Sequence, residues 1–239
     1  MKKRGLQIVL REIVWAVVII AVCAGLITAV LKNYVEYEYQ FKALPYQVQG
    51  YPQGEVLLIG SSTMEYWTSS EADLGPLHTI NVGVAGSKVQ DLRNHISELV
   101  EPFHPRAIVL FIGSNDIDGS ENSKSGEEVA VEMGLLFEEI KEALPGTPIY
   151  CIAIAPTPER WGVWNEASEC NRRVREMAEK DEWLHVIDCA SVLLDEEGQP
   201  DSRYYRPDNL HFTEEGYARW TTVVRPTLLT DLYVGGEAE

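Results

Sequence analysis

Four small polar clusters hold residue types that together could carry out acyl transfer. They are Gly60-Ser61-Ser62, Asn81 to Gly86 (NVGVAG), Gly113-Ser114-Asn115-Asp116 and Asp208-Asn209-Leu210-His211. Acyl transfer needs a nucleophile, a base to take its proton, a group to orient that base, and donors for the oxyanion. Ser61 or Ser62 offers the hydroxyl, at a strand-to-helix turn where a helix N-terminus favours negative charge. His211 offers the base. Asp208, three residues earlier, can accept the other ring N–H and hold the tautomer, provided both lie in one tight turn. The backbone N–H of Gly86 and the side-chain amide of Asn115 offer the donors, since glycine permits close backbone approach and an amide carries two N–H groups. Each cluster alone has an ordinary explanation: a serine pair caps a helix, and glycine runs and Asn-Asp pairs make turns. The weight lies in all four occurring together, in this order.

Their placement depends on the elements between them. Short apolar runs of strand type fall at Val56–Ile59, Thr79–Val82, Ala107–Ile112, Ile149–Ile154 and His185–Ile187. None alternates cleanly, as expected of strands covered on both faces. Helical spacing falls between them, at about 88–101, 126–144, 165–180 and 213–230, with Pro145-Gly146 stopping the second. Alternation of this kind predicts an α/β fold with a parallel sheet and helices on both sides. Sites in such sheets lie at the carboxyl ends of the strands, where the four clusters fall.

Other residues have competing readings. Asp91 and His95 stand four apart and fit either a metal pair or a solvated helix face, and the second is the expectation. Asp116 is expected to brace the loop beside Asn115. Trp67, Trp161 and Trp164 suit either the lining of an acyl or leaving-group pocket or packing at its core and rim. Trp220, at helical spacing from Tyr217, reads as core. Cys151, Cys170 and Cys189 match no metal-site spacing and are expected to be small buried hydrophobes, with one disulfide open in an oxidising compartment.

In its four blocks the sequence resembles the SGNH (GDSL-type) hydrolases. The first block reads IGSSTMEYW, with Ser62 aligned to the nucleophile and Ser61 where the commoner motif has Asp. The second, NVGVAGSKVQDL, matches Gly86 to the oxyanion glycine. The third, FIGSNDI, matches Asn115 to the oxyanion asparagine. The last, PDNLHFTEEGYARW, matches Asp208 and His211 to the acid and base. The resemblance covers about residues 55–230 and is nearest to bacterial members similar to the platelet-activating-factor acetylhydrolase catalytic subunits. The stretch from Pro156 to Asn171, with Arg160, Trp161 and Trp164, is similar to that branch too. What it implies is a flavodoxin-like three-layer α/β/α sandwich with five parallel strands in order 2-1-3-4-5. It also implies ester hydrolysis through an acyl-serine intermediate, with the Ser62 backbone N–H as a further oxyanion donor and with no metal or organic cofactor. An O-acyltransferase acting on a glycan, a lysophospholipase or a thioesterase would use the same residues, and a catalytically silent binding domain is the non-enzymatic alternative.

Charge divides the 239 residues unevenly. The chain carries a formal net charge of −17, yet residues 1–31 hold Lys2, Lys3, Arg4 and Arg11 against Glu12 alone. The acidic remainder argues against a nucleic-acid partner, which needs clustered Lys and Arg. Ile13 to Leu31 runs 19 residues without a charge, enough at about 1.5 Å per residue to cross the hydrocarbon of a bilayer. Basic residues before it predict a cytoplasmic N-terminus and a domain held outside the cell membrane. A cleaved signal peptide is the competing reading, but its apolar core is normally about 7–15 residues and Val22-Cys23-Ala24 makes a poor cleavage site. The expected organisation is therefore a basic tag and single-pass anchor over 1–31, a stalk or strap over 32–54, and one hydrolase domain over 55–239. The expected partners are an acyl ester, small or carried on a glycan, and the membrane. Oligomeric state is not legible in the sequence.

Overall fold

In a computed structural model, which describes residues 2–233, five parallel strands form one sheet in the order β2-β1-β3-β4-β5. The strands are β1 (Val56–Gly60), β2 (Thr79–Asn81), β3 (Ala107–Phe111), β4 (Ile149–Ile152) and β5 (Leu184–Ile187). Every residue of β1, β3 and β4 is buried, which is why their sequences run apolar without alternation. Helices cover both faces. On one lie α5 (Val89–Asn94), α6 (Ile96–Leu99), α7 (Gly126–Ala143) and α8 (Trp164–Ala178), packed through Leu92, Val129, Leu136, Phe137 and Val174 onto Leu57, Ile108 and Leu110. On the other lie the short α3 (Ser62–Glu65) and α4 (Ser70–Asp73) and the long α9 (Glu214–Tyr233). There Trp67, Tyr217, Trp220 and Phe212 pack on Leu58, Val109 and Phe111. This is the three-layer sandwich of the expected strand order.

Two local choices shape the carboxyl end of the sheet. Gly60 closes β1 at φ +140°, and a methyl there would sit 2.0 Å from the Phe111 carbonyl oxygen. Only glycine lets the chain turn so close to β3 before α3 starts at Ser62. β4 stops two residues earlier than the apolar run suggests. The amide of Asn171 takes over the Ile154 backbone, accepting its N–H at 2.8 Å and donating to its carbonyl at 2.9 Å.

The N-terminal part departs from expectation. Helix α1 (Lys2–Lys32) contains the apolar stretch, with a membrane-length window at Ile13–Val30 of mean hydropathy 2.8. The segment expected as stalk or strap, its first turns able to continue the membrane helix, is helix α2 (Tyr34–Gln49) almost throughout, with Pro45 inside it. It lies against the domain through buried Tyr39 and Ala43. Its outer face is also apolar, exposing Tyr34, Tyr37, Phe41, Leu44 and Val48. With apolar residues on both faces it shows no amphipathic period, and so its sequence does not look helical.

The helix expected over 88–101 is broken at His95, where φ is −119°. His95 is buried, not on a solvated face. Its Nδ1 meets the Asp91 carbonyl oxygen at 2.8 Å, its Nε2 meets Glu36 at 3.2 Å, and its ring stacks on Tyr39 at 4.0 Å. The Asp91 carboxylate accepts the Lys88 backbone N–H, so the two side chains serve separate ends of the turn. Cys151, Cys170 and Cys189 are buried and free.

Candidate active site

Each of the four clusters follows a strand or precedes α9, and the fold gathers them at one end of the sheet. Ser61, in extended conformation, is the residue before α3, and Ser62 is its first residue. The Ser62 Oγ lies 2.9 Å from Nε2 of His211, across 149 residues of sequence. Nδ1 of the same ring lies 2.8 Å from Oδ2 of Asp208. With Nδ1 as the donor to that carboxylate, Nε2 is left as acceptor for the serine O–H.

A tight turn makes this possible. Asn209 takes φ +58°, a left-handed position that asparagine tolerates. The other Asp208 oxygen then accepts the backbone N–H groups of Leu210 and His211 at 3.0 and 2.9 Å. Burial pushes the Asp208 carboxyl up, but the hydrogen bonds from the His211 ring and from these two N–H groups outweigh it and hold the group at about 2. The turn is tied down by Arg206, whose N–H donates to the His211 carbonyl at 2.7 Å, and by the Glu159 N–H on the Asn209 carbonyl. Tyr66 meets the His211 ring edge-on at 5.0 Å and is itself covered by the Arg206 guanidinium at 5.1 Å. From α9, the Tyr217 hydroxyl donates to the Thr63 carbonyl and fixes the back of α3.

The candidate oxyanion donors come from the neighbouring loops. The N–H groups of Ser62 and Gly86 have no acceptor among the described residues. Gly86 takes φ +81°, which a side chain would strain. Its loop is drawn onto α3 by the Asn81 amide, which donates to the Met64 carbonyl at 2.7 Å, and by Glu65, which accepts the Ala85 N–H at 2.9 Å. The Asn115 amide is fixed at both ends. Its Nδ2 donates to the Ser87 carbonyl at 3.0 Å, leaving one N–H free, while its Oδ1 accepts from Arg160 at 2.9 Å. Arg160 also donates to the Ser114 carbonyl at 2.7 Å. The guanidinium thus dictates which way the amide faces, and it arrives from the loop after β4, 45 residues away. Reading the blocks gives no hint of that contact.

Asp116, beside Asn115, has no exposed surface. It accepts the Val89 N–H at 3.0 Å and the Lys124 ammonium at 3.0 Å, bracing α5 against the loop. Burial raises its pKa against the pull of those two donors. Removing it strands the Val89 N–H and leaves Lys124 with Glu132 alone, so Asp116→Ala is expected to cost about 1–3 kcal/mol, measured by urea unfolding at neutral pH.

The tryptophans separate. Trp67 belongs to the core: it is fully buried, its indole N–H donates to Asp73 at 2.7 Å, and it stacks on Tyr217. The Asp73 carboxylate satisfies the indole N–H, so the ring goes to the core. Trp161 and Trp164 stack on each other at 5.8 Å, half-buried in the loop that carries Arg160. A cavity of about 500 Å³ opens beside Tyr66, lined also by Arg206, Glu214 and Tyr217.

Comparison with known proteins agrees with this fold. Residues 53–219 match the GDSL-like Lipase/Acylhydrolase family. No curated protein matches by sequence. Among solved structures, a Streptococcus pneumonia protein provisionally described as a platelet activating factor superposes with a TM-score of 0.72 at 21% identity, covering 85% of this chain and 99% of that one. A GDSL-like lipase of Bacteroides thetaiotaomicron gives 0.68 at 17%, over 81% and 98%. The family 3 carbohydrate esterase of Clostridium thermocellum gives 0.62 at 15%, over 77% and 100%. At these identities the likeness is one of fold.

Proposed function

The chain belongs to the GDSL-like lipase/acylhydrolase family, and from that premise we propose that it is a membrane-anchored, extracytoplasmic serine esterase that cleaves an O-acyl ester through an acyl-serine intermediate. The observation that carries the proposal is the hydrogen-bonded chain Asp208–His211–Ser62 at the carboxyl end of the sheet. His211 takes the Ser62 proton on Nε2 as Oγ attacks the ester carbonyl. Asp208 holds the ring in that tautomer and stabilises the imidazolium. The Ser62 and Gly86 N–H groups and the free Asn115 N–H receive the oxyanion. His211 then returns the proton to the leaving alcohol. In the second half it activates water against the acyl-serine. Trp161 and Trp164 form part of the substrate rim. Helix α1 supplies the anchor, and the basic residues ahead of its apolar stretch favour a domain held outside.

Full-length protein in detergent is expected to hydrolyse p-nitrophenyl acetate with no metal added, and a fluorophosphonate probe should label Ser62. Labelling confined to Ser61, or activity that a fluorophosphonate leaves intact, would sink the assignment.

Arg160 is a positioning residue in this scheme. In Arg160→Met the Asn115 amide loses the partner that orients it, and one oxyanion donor is misplaced. Loss of such a donor costs about a hundredfold or more when complete. Here Ser87 still holds the amide, so kcat should fall about tenfold to a hundredfold with KM nearly unchanged. A rise in KM at constant kcat would instead give Arg160 a role in ground-state binding.

A further inference from the structure

We infer that the catalytic end of the domain is held against the bilayer, and that the ester it cleaves is carried by an uncharged or zwitterionic membrane amphiphile at headgroup depth. The inference rests on the proposed anchored esterase and adds the source of its substrate.

The argument begins with the direction of α2. At its start, a methyl built on Gly86 would lie 3.4 Å from Cγ2 of Val35, so the first turn of α2 packs on the oxyanion glycine. Farther along, Tyr46 sits edge-on to Phe103 at 4.9 Å, as does Tyr51 just after the helix. Gln53 then donates to the Pro102 carbonyl. Those partners lie in the turn that leads into the amino end of β3. Helix α2 therefore starts at the catalytic end and runs to the opposite end. Its 16 residues rise about 24 Å. Three contacts pin it along the way: Lys42 on Glu65 at 3.1 Å, Glu36 on His95 at 3.2 Å, and Tyr39 stacked on His95.

The connection to the membrane helix has no slack. Only Asn33 separates α1 from α2, its N–H bonding the Ala29 carbonyl and its carbonyl accepting the Tyr37 N–H. From Val30, the last residue of the apolar window, to Val35 is five residues, about 8 Å of helix rise. The headgroup zone of one leaflet is about 5–8 Å deep. Gly86, in contact with Val35, thus lies at the level where acyl esters of amphiphiles sit. Tyr34 and Tyr37 are exposed at the same level, where aromatic rings with a polar tip are favoured. A membrane amphiphile reaches such a site by lateral diffusion, whereas a bulky soluble glycan must pass between domain and bilayer. The acidic body disfavours anionic headgroups.

Two measurements on the full-length protein in phosphatidylcholine vesicles test this. In a Cys23→Ala background, fluorophores are placed at Ser120→Cys, in the exposed loop after β3, and at Glu182→Cys, exposed before β5. A quencher on the lipid headgroups should quench the first at least threefold more than the second. Equal or reversed quenching overturns the inference. Quenching of neither removes the anchoring on which it rests, without touching the esterase reading.

In the second measurement, 20 Gly/Ser residues inserted after Lys32 add a coil of about 25 Å. Hydrolysis of hexadecanoylaminofluorescein diacetate in the vesicles should fall about tenfold, while that of soluble 4-methylumbelliferyl acetate stays within twofold. Equal rates before and after insertion, or an equal fall on both esters, overturn the placement. A parent protein that cleaves neither ester refutes the esterase assignment instead.

Discussion

Ser62→Ala is expected to cut kcat for p-nitrophenyl acetate by about a hundred-thousandfold to a millionfold while leaving the fold intact. The attacking oxygen and the site of acylation vanish together. Only the oxyanion donors and His211 remain to assist water, and such remnants are worth far less than the covalent route. The fold should not notice. Ser62 is the first residue of α3, half-buried, and the turn before it is made by Gly60 and Ser61. Alanine suits that helical position. Ser61→Ala is the control: His211 bonds Ser62, and Ser61 is buried in the extended residue before the helix. It should stay within about tenfold of the parent. Steady-state kinetics and mass-detected fluorophosphonate labelling read both variants, and the reverse order of effects would move the nucleophile to Ser61.

How far the site could be read from sequence depends on the range of each contact. The Asp208–His211 turn is local, spanning three residues, and its spacing is visible in the sequence. Ser62 meets His211 across 149 residues, but Ser62 begins α3 and His211 lies in the turn just before α9, so strand–helix alternation brings them to one end of the sheet. The Arg160 grip on Asn115 is different. It joins two irregular loops, and no periodicity reports which side chain a loop turns inward. Helix α2 escaped because Tyr39 and Ala43 face the domain while Phe41 and Leu44 face away, which erases the 3.6-residue contrast. His95 looked like a surface residue on a helix. In the fold Tyr39 and Glu36 cover it, and those two partners lie more than 50 residues upstream. Trp67 could have gone to the pocket or to the core. Its hydrogen bond to Asp73, six residues on, allowed the whole indole to be buried.

Asp208→Asn should lower kcat about ten-thousandfold with much less effect on structure, because it reverses one hydrogen bond and spares the others. The amide oxygen can still accept the N–H groups of Leu210 and His211, which build the turn. On the other side, an NH2 group replaces the oxygen that faces Nδ1 at 2.8 Å. It donates, so Nδ1 must accept and the ring proton moves to Nε2. That nitrogen can then no longer take the proton of Ser62. The pH behaviour separates this loss from simple unfolding. Asp208 is held at about 2 against an ordinary 3.8, so its ionisation favours the folded state. That stabilisation is present in full above about pH 4 and disappears as the pH falls toward 2. Parent and Asp208→Asn proteins should therefore differ in Tm at pH 7 and converge by pH 2–3, with a modest gap because the carboxylate is half exposed. The acid limb of kcat/KM in the parent, above pH 4, must then come from a group other than Asp208. A parent profile whose acid limb lay near pH 2, or a Tm gap that widened on acidification, would contradict this electrostatic assignment.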